Sequence, residues 1–548
     1  MPFNSYEFIF AFLPVTVLGF WVLHQVRGRG AALVWLLLAS AVFYAYASPE
    51  GLLTILPSIL LDYAIARALL QLGASRLRLR RVLVFVGVAA NVAFLGYFKY
   101  RNFFLDSLNT ALATHFEIVR VLLPLGISFL VFQKLAFLAD VYVGEVKSVR
   151  LREFLLFTLF FPRVIAGPIV HYREVMPQLT SAPEERWKVN VAVGICLFSI
   201  GLFKKTFIAD TLAQYVAPGF DTQGGSPGLV LAWMALFSYA LQLYFDFSGY
   251  SDMALGVARM VGVRLPMNFN SPYKAASIIE FWNRWHITLT RFLTEYIYTP
   301  LVLRISRSRL AAGKSVIRGR RSTGSAIAAL VAVPTLVTMA ISGLWHGAGW
   351  QFIVWGLLHG VYLTINQIWR LLRPKSFAES DHYDRIMQPA GRALTFGAVL
   401  LALVFFRSQS LSSATSFLAN LSGLHGPYPH IVELIERSGV ALPFSILSMA
   451  LSLKVFGWIV LLLIAVNCLP NSLELLRRFE PALDFPTEGA DKAAVEVTDA
   501  ARSWWSRIGH AGEHGLDLSV ITATVLATLC VLGALALDQN KGFVYGGF

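Results

Sequence analysis

The chain has 548 residues, of which 56% are hydrophobic and only 14% are charged, and its mean hydropathy is +0.61. Soluble proteins carry about 25% charged residues, so charge this sparse cannot coat the surfaces of several soluble domains. The composition excludes a disordered, collagenous or coiled-coil chain and indicates that lipid is the main solvent. The net charge of +14 then indicates basic cytoplasmic loops, and no nucleic-acid partner is predicted.

Apolar stretches long enough to span a bilayer recur along the chain, and we expect about eleven true crossings among them. The first, from Phe8 to Leu23, has no basic residues before it and no small-residue cleavage site after it, so we predict a retained span rather than a signal peptide. The predicted spans lie near 6–24, 31–47, 52–71, 82–98, 121–142, 153–170, 189–209, 228–247, 325–345, 348–370, 391–407, 447–468 and 518–537.

One of these spans is interrupted by Pro162, Gly167 and Pro168. Broken helices are tolerated at membrane depth only where protein buries them or a cavity wets them. We therefore predict that this segment is re-entrant and lies near a site.

Basic residues predict the orientation, because Lys and Arg are retained on the cytoplasmic side. Basic residues follow the first, third and fifth spans, and this pattern places the N-terminus outside. The residues after these three spans are, in turn, Arg27 and Arg29; Arg76, Arg78, Arg80 and Arg81; and Lys147, Arg150 and Arg152. A further basic cluster over 304–321 is predicted to be cytoplasmic and could attract anionic lipid or a phosphorylated donor. Residues 408–446 are predicted to form a mostly uncharged loop, and residues 471–517 a polar, acidic one.

The catalytic core is predicted within 228–370, and the densest polar chemistry lies within 228–300, where Asp246 and Asp252 stand beside Ser248 and Ser251 in an apolar span. Intramembrane acids are costly, so they are candidate site residues. Six residues correspond to about 240° around a helix, and Gly249 could break it. The two acids therefore need not act as a pair, and each could instead cap a helix or pair with a buried Arg.

The segment 280–296 predicts an interfacial helix with ion pairs between Glu280 and Arg284 and between Arg291 and Glu295, each spaced i, i+4. Its aromatic side chains are of the type that collects at the membrane surface: Trp282, Trp285, Tyr296 and Tyr298. His286 is predicted to be a structural or pocket residue rather than the proton-transfer group.

A second histidine segment runs Ser342-Gly-Leu-Trp345-His346-Gly-Ala-Gly-Trp350 and continues to His359. Its glycines, led by Gly343, predict close approach of another backbone or a ligand. His346 lies at the joint between two apolar spans, where an imidazole can exchange a proton. His359 follows about 220° around a continuous helix, so the two face one site only if the helix breaks.

No metal site is predicted. The three cysteines, Cys196, Cys468 and Cys530, lie far apart within apolar stretches, and the spacing His-Glu-x-x-His of a metalloprotease is absent. A transporter or flippase shares the hydropathy, but such proteins more often show an internal repeat, and none is evident here.

At these segments the sequence resembles the membrane-bound O-acyltransferases, in particular the bacterial branch of the alginate O-acetylation membrane subunit and the teichoic-acid D-alanyl transfer protein. The resemblance runs nearly end to end. It rests on an ordered set of segments: Phe3-Asn-Ser5, Phe12-Leu-Pro14, Leu123-Pro-Leu-Gly-Ile-Ser-Phe129, Phe161-Pro-Arg-Val-Ile-Ala-Gly-Pro-Ile169, Phe203-Lys-Lys-Thr-Phe-Ile-Ala-Asp210, Gln242-Leu-Tyr-Phe-Asp-Phe-Ser-Gly-Tyr-Ser-Asp-Met253, Glu280-Phe-Trp-Asn-Arg-Trp-His-Ile287, Gly343-Leu-Trp-His-Gly347 and Phe543-Val-Tyr545.

The resemblance implies a single all-α, many-helix membrane domain over 1–548, in which a cytoplasmic funnel and an outer one meet at a central pocket. The family's essential histidine falls on His346 and its other marked histidine on His286. Asp246, Asp252, Arg284 and Trp345 are expected to support the site, and Trp282, Trp285 and Asn283 to contact the donor. This chain departs from the family pattern at Asn283 (often Arg), Arg163 (often His) and His171 (usually Arg).

The resemblance also implies the reaction: acyl transfer from a thioester, with acetyl-CoA as the expected donor and no permanently bound cofactor, for O-acetylation of an exported polysaccharide such as alginate. The expected partners are an extracytoplasmic SGNH-type acetyltransferase or a secretion complex, together with membrane lipids, in the bacterial inner membrane. His346 would accept the proton of an acceptor hydroxyl, while Ser342 remains an alternative nucleophile. A lipid- or teichoic-acid-directed acyltransferase is the nearest enzymatic alternative.

Overall fold

The computed structural model describes residues 1–72, 76–119, 121–181, 187–221, 228–374, 381–424, 443–483 and 520–537. These residues fold almost entirely into helices, in keeping with the predicted all-α membrane fold. The helices are α1 (Glu7–Arg27), α2 (Arg29–Ala47), α3 (Pro49–Gln71), α4 (Leu77–Leu112), α5 (Ile127–Val143), α6 (Leu151–Leu159), α7 (Tyr172–Thr180), α8 (Trp187–Phe220), α9 (Gly228–Met260), α10 (Ile278–Arg284), α11 (Ile287–Leu293), α12 (Thr299–Ala311), α13 (Gly324–His346), α14 (Trp350–Leu372), α15 (Asp381–Arg407), α16 (Leu411–Leu421), α17 (Pro443–Cys468) and α18 (Val520–Leu535).

Every predicted apolar span overlaps helical structure, although 121–142 becomes helical only at Ile127 and 153–170 only as far as Leu159. Within the described residues, eight helices are long and apolar enough to cross a membrane: α1, α2, α3, α4, α8, α9, α13 and the part of α15 from Arg385 to Arg407. The interruption predicted within 153–170 is confirmed, because α6 ends at Leu159 and helix resumes only at Tyr172.

The chain divides into two compact units. The first comprises Met1–Phe207, Phe247–Met267 and Ser472–Gly547, and the second comprises Ile208–Asp246, Asn268–Asn471 and Phe548. The prediction of a single domain over 1–548 stays a prediction.

In the first unit, α8 and α9 approach each other backbone to backbone at two pairs of glycines. A Cβ at Gly194 would lie 2.6 Å from the carbonyl oxygen of Gly256, and one at Gly201 would lie 2.5 Å from that of Gly249. Small residues at such positions let membrane helices pack closely. The break that Gly249 could have introduced does not occur: α9 continues through this residue, which serves the helix contact.

The first unit also buries a charged pair among α3, α4 and α5. Lys134 Nζ lies 3.0 Å from an Asp62 carboxylate oxygen, and both side chains are fully buried. Lys134 donates a hydrogen bond to Ser58 Oγ at 2.6 Å, and the Asn91 amide donates to the two Asp62 oxygens at 2.8 and 3.1 Å. These hydrogen bonds help to offset the free-energy cost of removing the two charges from water.

Two loop predictions change. Within 408–446, Leu411–Leu421 is a helix whose first turn is capped by Ser410 Oγ, which accepts from Ser413 N at 3.1 Å. The apolar residues of this segment also recur at helical spacing, so the loop prediction is wrong there, and residues 425–442 lie outside the described part. Of the predicted acidic loop 471–517, the structure describes only residues up to 483, which include two short helices, Ser472–Leu475 and Arg477–Phe479.

Candidate active site

The histidine segment of the second unit lies at the tip of an antiparallel hairpin. Helix α13 ends at His346 and α14 begins at Trp350, which confirms the predicted joint between two apolar spans. The two helices touch through glycine: a Cβ at Gly343 would lie 2.2 Å from the carbonyl oxygen of Phe352, and one at Gly356 equally close to that of Met339. The close approach predicted at Gly343 is confirmed, and it fixes where His346 stands.

We predict that Gly343→Ala destabilises the protein by about 1–3 kcal/mol, because the new methyl group meets rigid backbone of the facing helix. The matched control is Gly397→Ala on α15, where a Cβ would meet nothing within 4 Å. There we expect a gain of about 0.5–1 kcal/mol, since alanine favours a helix over glycine. Unfolding of both variants in the same detergent measures the difference, and equal stabilities would contradict the assigned hairpin contact.

Aromatic rings surround His346, which is 4% exposed. Its ring centroid lies 4.9 Å from those of Trp345 and Trp355 and 5.3 Å from that of Phe406. Sequence reasoning missed Trp355 and Phe406 as neighbours. Trp355 lies one turn before His359 on α14, so helical spacing could have placed it beside that histidine. Phe406 lies at the end of α15, and nothing in the sequence indicated its contact with His346.

Histidine and tryptophan rings form a continuous ladder through the site. From His346 it runs through Trp355 to His359, 5.0 Å further on, and to Trp282, whose centroid lies 5.2 Å from His359. Trp282 Nε1 also donates to His359 Nδ1 at 3.3 Å. The helix does break between His346 and His359, so these two histidines lie on different helices and both contact Trp355.

His286 extends the ladder at the other end, with its ring 6.1 Å from that of Trp345. It is fully buried and adopts φ 44°, a left-handed conformation that separates α10 from α11. The predicted single interfacial helix over 280–296 is therefore wrong. Non-glycine residues with such a backbone are uncommon and cluster at functional sites.

Asn268 holds the His286 ring in one tautomer. Its Oδ1 accepts from the backbone N–H of Thr288 at 3.3 Å and from the Thr288 hydroxyl at 2.9 Å, so this atom is an acceptor. His286 Nδ1, at 3.0 Å from the same oxygen, is then the donor, and Nε2 carries the lone pair. His286 lies outside the eight candidate spans, and burial lowers its pKa to about 3, so the ring is neutral at physiological pH.

The other predicted site residues separate into distinct environments. Trp282 and Trp285 are 5% and 7% exposed, so these rings pack within the protein, and their position at the membrane interface stays a prediction. Asn283 is exposed. Arg284 pairs with Glu280 at 2.9 Å, which confirms that i, i+4 contact.

The two acids of α9 belong to different units. Asp246, in the second unit, is fully buried. Asp252, in the first, accepts from Lys204 Nζ at 2.7 Å and from Ser472 Oγ at 2.8 Å. The expectation that such an acid pairs with a cation therefore holds for Asp252, with a partly exposed lysine in place of a buried arginine.

Comparison with known proteins identifies the family. Residues 88–317 match the sequence profile of the membrane-bound O-acyltransferase (MBOAT) family. The chain is also 39% identical over 453 residues to a peptidoglycan O-acetyltransferase of Helicobacter pylori, an alignment that covers 77% of this chain and 80% of the relative. The chain belongs to the membrane-bound O-acyltransferase family.

Other relatives of this O-acyltransferase carry related names. It is 36% identical over 421 residues to a probable alginate O-acetylase of Azotobacter vinelandii, with 76% of each chain covered. It is 29% identical over 295 residues to a teichoic acid D-alanyltransferase of Streptococcus thermophilus, with 52% of this chain and 68% of the relative covered. The predicted resemblance to this bacterial branch, and the all-α polytopic fold that it implied, are confirmed.

Proposed function

We propose that this O-acyltransferase takes an acetyl group from a cytoplasmic thioester, acetyl-CoA, and supplies it across the membrane for O-acetylation of an exported polysaccharide. The observation that carries the proposal is the burial of His346 among three aromatic rings at the tip of the α13–α14 hairpin. The names of the relatives support acetyl as the acyl group and a cell-surface glycan as the acceptor.

His346 is proposed as the general base. An imidazole titrates near neutral pH and can take the proton of an acceptor hydroxyl as that oxygen attacks the thioester carbonyl. The new C–O bond forms as the C–S bond breaks, and the imidazolium returns its proton to the leaving thiolate. The surrounding rings exclude water, which would otherwise hydrolyse the thioester.

The developing oxyanion needs a hydrogen-bond donor, and the site offers one beside His346. The indole Nε1 of Trp355 is buried and makes no hydrogen bond within the described residues. A buried donor without a partner is costly, and an oxyanion would supply the missing acceptor. We assign Trp355 this role.

The alternative nucleophile Ser342 fits less well. Its hydroxyl is fully buried and makes no hydrogen bond in the described part of the chain, so no Ser–His pair of the kind that activates a serine is formed. This favours direct attack by the acceptor hydroxyl, with His346 as its base.

The remaining predicted site residues keep supporting roles in the proposal. Trp345 bridges His286 and His346, and His286 positions the donor or acceptor through the lone pair on Nε2. Three polar residues stabilise the surrounding helices: Asp246, Asp252 and Arg284. The acyl donor contacts the segment that contains Trp282, Asn283 and Trp285.

The location and partners complete the proposal. The enzyme would lie in the bacterial inner membrane with its N-terminus outside, so that the basic cluster over 304–321 attracts the coenzyme phosphates on the cytoplasmic side. The acetyl group would pass to an extracytoplasmic SGNH-type acetyltransferase or directly to the glycan. Alginate-like polysaccharide is the first proposed acceptor, and the 39% identity to a peptidoglycan O-acetyltransferase favours peptidoglycan glycan as the second.

A reconstituted assay tests this function. Proteoliposomes holding the full chain receive radiolabelled acetyl-CoA on one side and alginate or peptidoglycan fragments on the other, with and without the partner enzyme, and labelled glycan is counted. Palmitoyl-CoA in parallel tests the lipid-acylating alternative. We expect label from acetyl-CoA in glycan or in the partner, and label only from palmitoyl-CoA, or only in lipid, would contradict the proposal.

A further inference from the structure

A polar cavity of about 180 Å³ lies in the first unit, apart from the histidine ladder. It is enclosed by α1, the start of α2, the end of α7, the start of α8 and the turn that follows α9. Its polar side chains are His24, Arg29, Gln178, Ser181, Asn190 and Arg264. Among the described residues, no carboxylate lines it, and two arginines do.

Arg29 supplies a donor that the fold leaves unused. Its Nε donates to the carbonyl oxygen of Leu179 and its Nη2 to that of Gln178 at 2.7 Å, which caps the end of α7. The third nitrogen, Nη1, is buried and has no hydrogen-bond partner within the described residues. Because an arginine fork suits phosphate oxygens, this free edge is fitted to an anion.

Asn190 adds a second polar group with no partner. It is 2% exposed, it lines the same cavity, and its Oδ1 makes no hydrogen bond within the described part of the chain. An amide can turn by 180° and present its NH₂ group instead, so it can donate to an anion that enters. Two unsatisfied groups that share one cavity indicate a missing ligand.

The size of the cavity limits the ligand. At about 30 Å³ per water molecule, it holds the volume of about six waters. Pockets that enclose a whole drug-sized molecule measure about 300–1,000 Å³. The cavity therefore fits a single phosphate group, and a larger molecule would have to extend beyond it.

The surroundings place the cavity beside lipid. Leu18, Val22 and Val26 of α1 are 66%, 54% and 74% exposed, as expected for a surface that faces acyl chains. Trp21, whose ring lies 5.7 Å from that of Trp187, lines the cavity at the same end of α1, and Trp187 is 36% exposed, as expected of an indole that reaches the headgroup layer.

We propose that this cavity binds the phosphate of an anionic phospholipid headgroup, with the acyl chains lying along α1. Arg29 and Asn190 hold the phosphate oxygens, and Arg264 at the rim is paired with Glu480. The site is separate from acyl transfer and does not depend on the proposed reaction.

Binding of dioctanoyl phosphatidylglycerol to the full chain in detergent tests the site, measured by native mass spectrometry as lipid is titrated. Arg29→Gln is expected to weaken binding about 10–100-fold, the loss that a charge-assisted hydrogen bond produces. The matched control is Arg27→Gln, which removes the exposed arginine two positions away that does not line the cavity, and its affinity should equal wild type. Because Arg29 also caps α7, a second variant places a repelling carboxylate at the exposed lining residue: Ser181→Asp should weaken binding similarly without removing any packing.

Inorganic phosphate and coenzyme A serve as competitors and identify the source of the phosphate. Retention of phosphatidylglycerol by both Arg29→Gln and Ser181→Asp at wild-type affinity would overturn the site. Displacement of the lipid by inorganic phosphate or coenzyme A at equal or lower concentration would overturn the lipid assignment. Resistance of the lipid to both competitors, with loss in the two variants, supports it.

Discussion

Replacement of His346 by alanine is expected to slow acetyl transfer by about 10²–10⁴-fold, the contribution of a positioned general base. His346→Asn should lose as much, because the amide keeps much of the ring's volume but cannot accept the proton at neutral pH. Transfer of radiolabelled acetyl to glycan in proteoliposomes measures the effect. Since the ring of His346 packs against Trp345, Trp355 and Phe406, thermal unfolding of each variant separates loss of chemistry from loss of fold.

The control for this experiment is His115→Asn, which changes an exposed histidine that follows α4. Its transfer rate should stay within about two-fold of wild type, as expected for a surface substitution away from the site. A folded His346→Asn protein that acetylates at the wild-type rate would refute the general-base role. In that case the family membership would stand, and another group would have to accept the proton.

Removal of one member of the buried ion pair should destabilise the protein more than any surface change. Lys134→Met leaves the Asp62 carboxylate buried without its cation, which costs about 3–5 kcal/mol. The double variant Asp62→Leu/Lys134→Met should recover most of this loss, because two apolar side chains of similar size need no compensation. Unfolding of the single and double variants in mixed micelles measures the coupling between the two positions.

Lys147→Met provides the reference, because this lysine is exposed in the loop after α5. Its stability should change by less than about 0.5 kcal/mol. If the double variant were as unstable as Lys134→Met alone, the contacts to Ser58 and Asn91 would be the stabilising element instead of the ion pair.

Hydropathy predicted the helices well because the bilayer sets their length, and the clustered Pro162, Gly167 and Pro168 correctly marked the interruption within 153–170. The joint at His346 followed from the same reasoning. A bilayer requires every lipid-exposed backbone group to be bonded internally, so the positions of helices are closely tied to the apolar pattern.

Neighbours across helices did not follow from the sequence. Nothing local to 280–296 indicates that His286 adopts a left-handed conformation, because that backbone is fixed by Asn268, eighteen residues earlier. Hydropathy likewise cannot distinguish an indole that faces a headgroup from one that packs against another helix, so the burial of Trp282 did not follow from the sequence. The sequence also left open whether Gly249 breaks its helix, because the tight contact of this glycine with Gly201 becomes visible only when two helices meet.

The Lys134–Asp62 pair also constrains the order in which the membrane protein is made. Each charge alone costs about 2.5–3.5 kcal/mol at the centre of a newly inserted helix. Asp62 is synthesised first, Asn91 next and Lys134 last, and at 5–20 residues per second the acid waits roughly 4–14 s for its cation. The Asp62 carboxylate on α3 must therefore be shielded by the insertion machinery or protonated until α5 is inserted. The Asn91 amide is its first hydrogen-bond partner. Insertion and packing of α3, α4 and α5 are thus cooperative, and the Lys134–Asp62 ion pair forms in the last step.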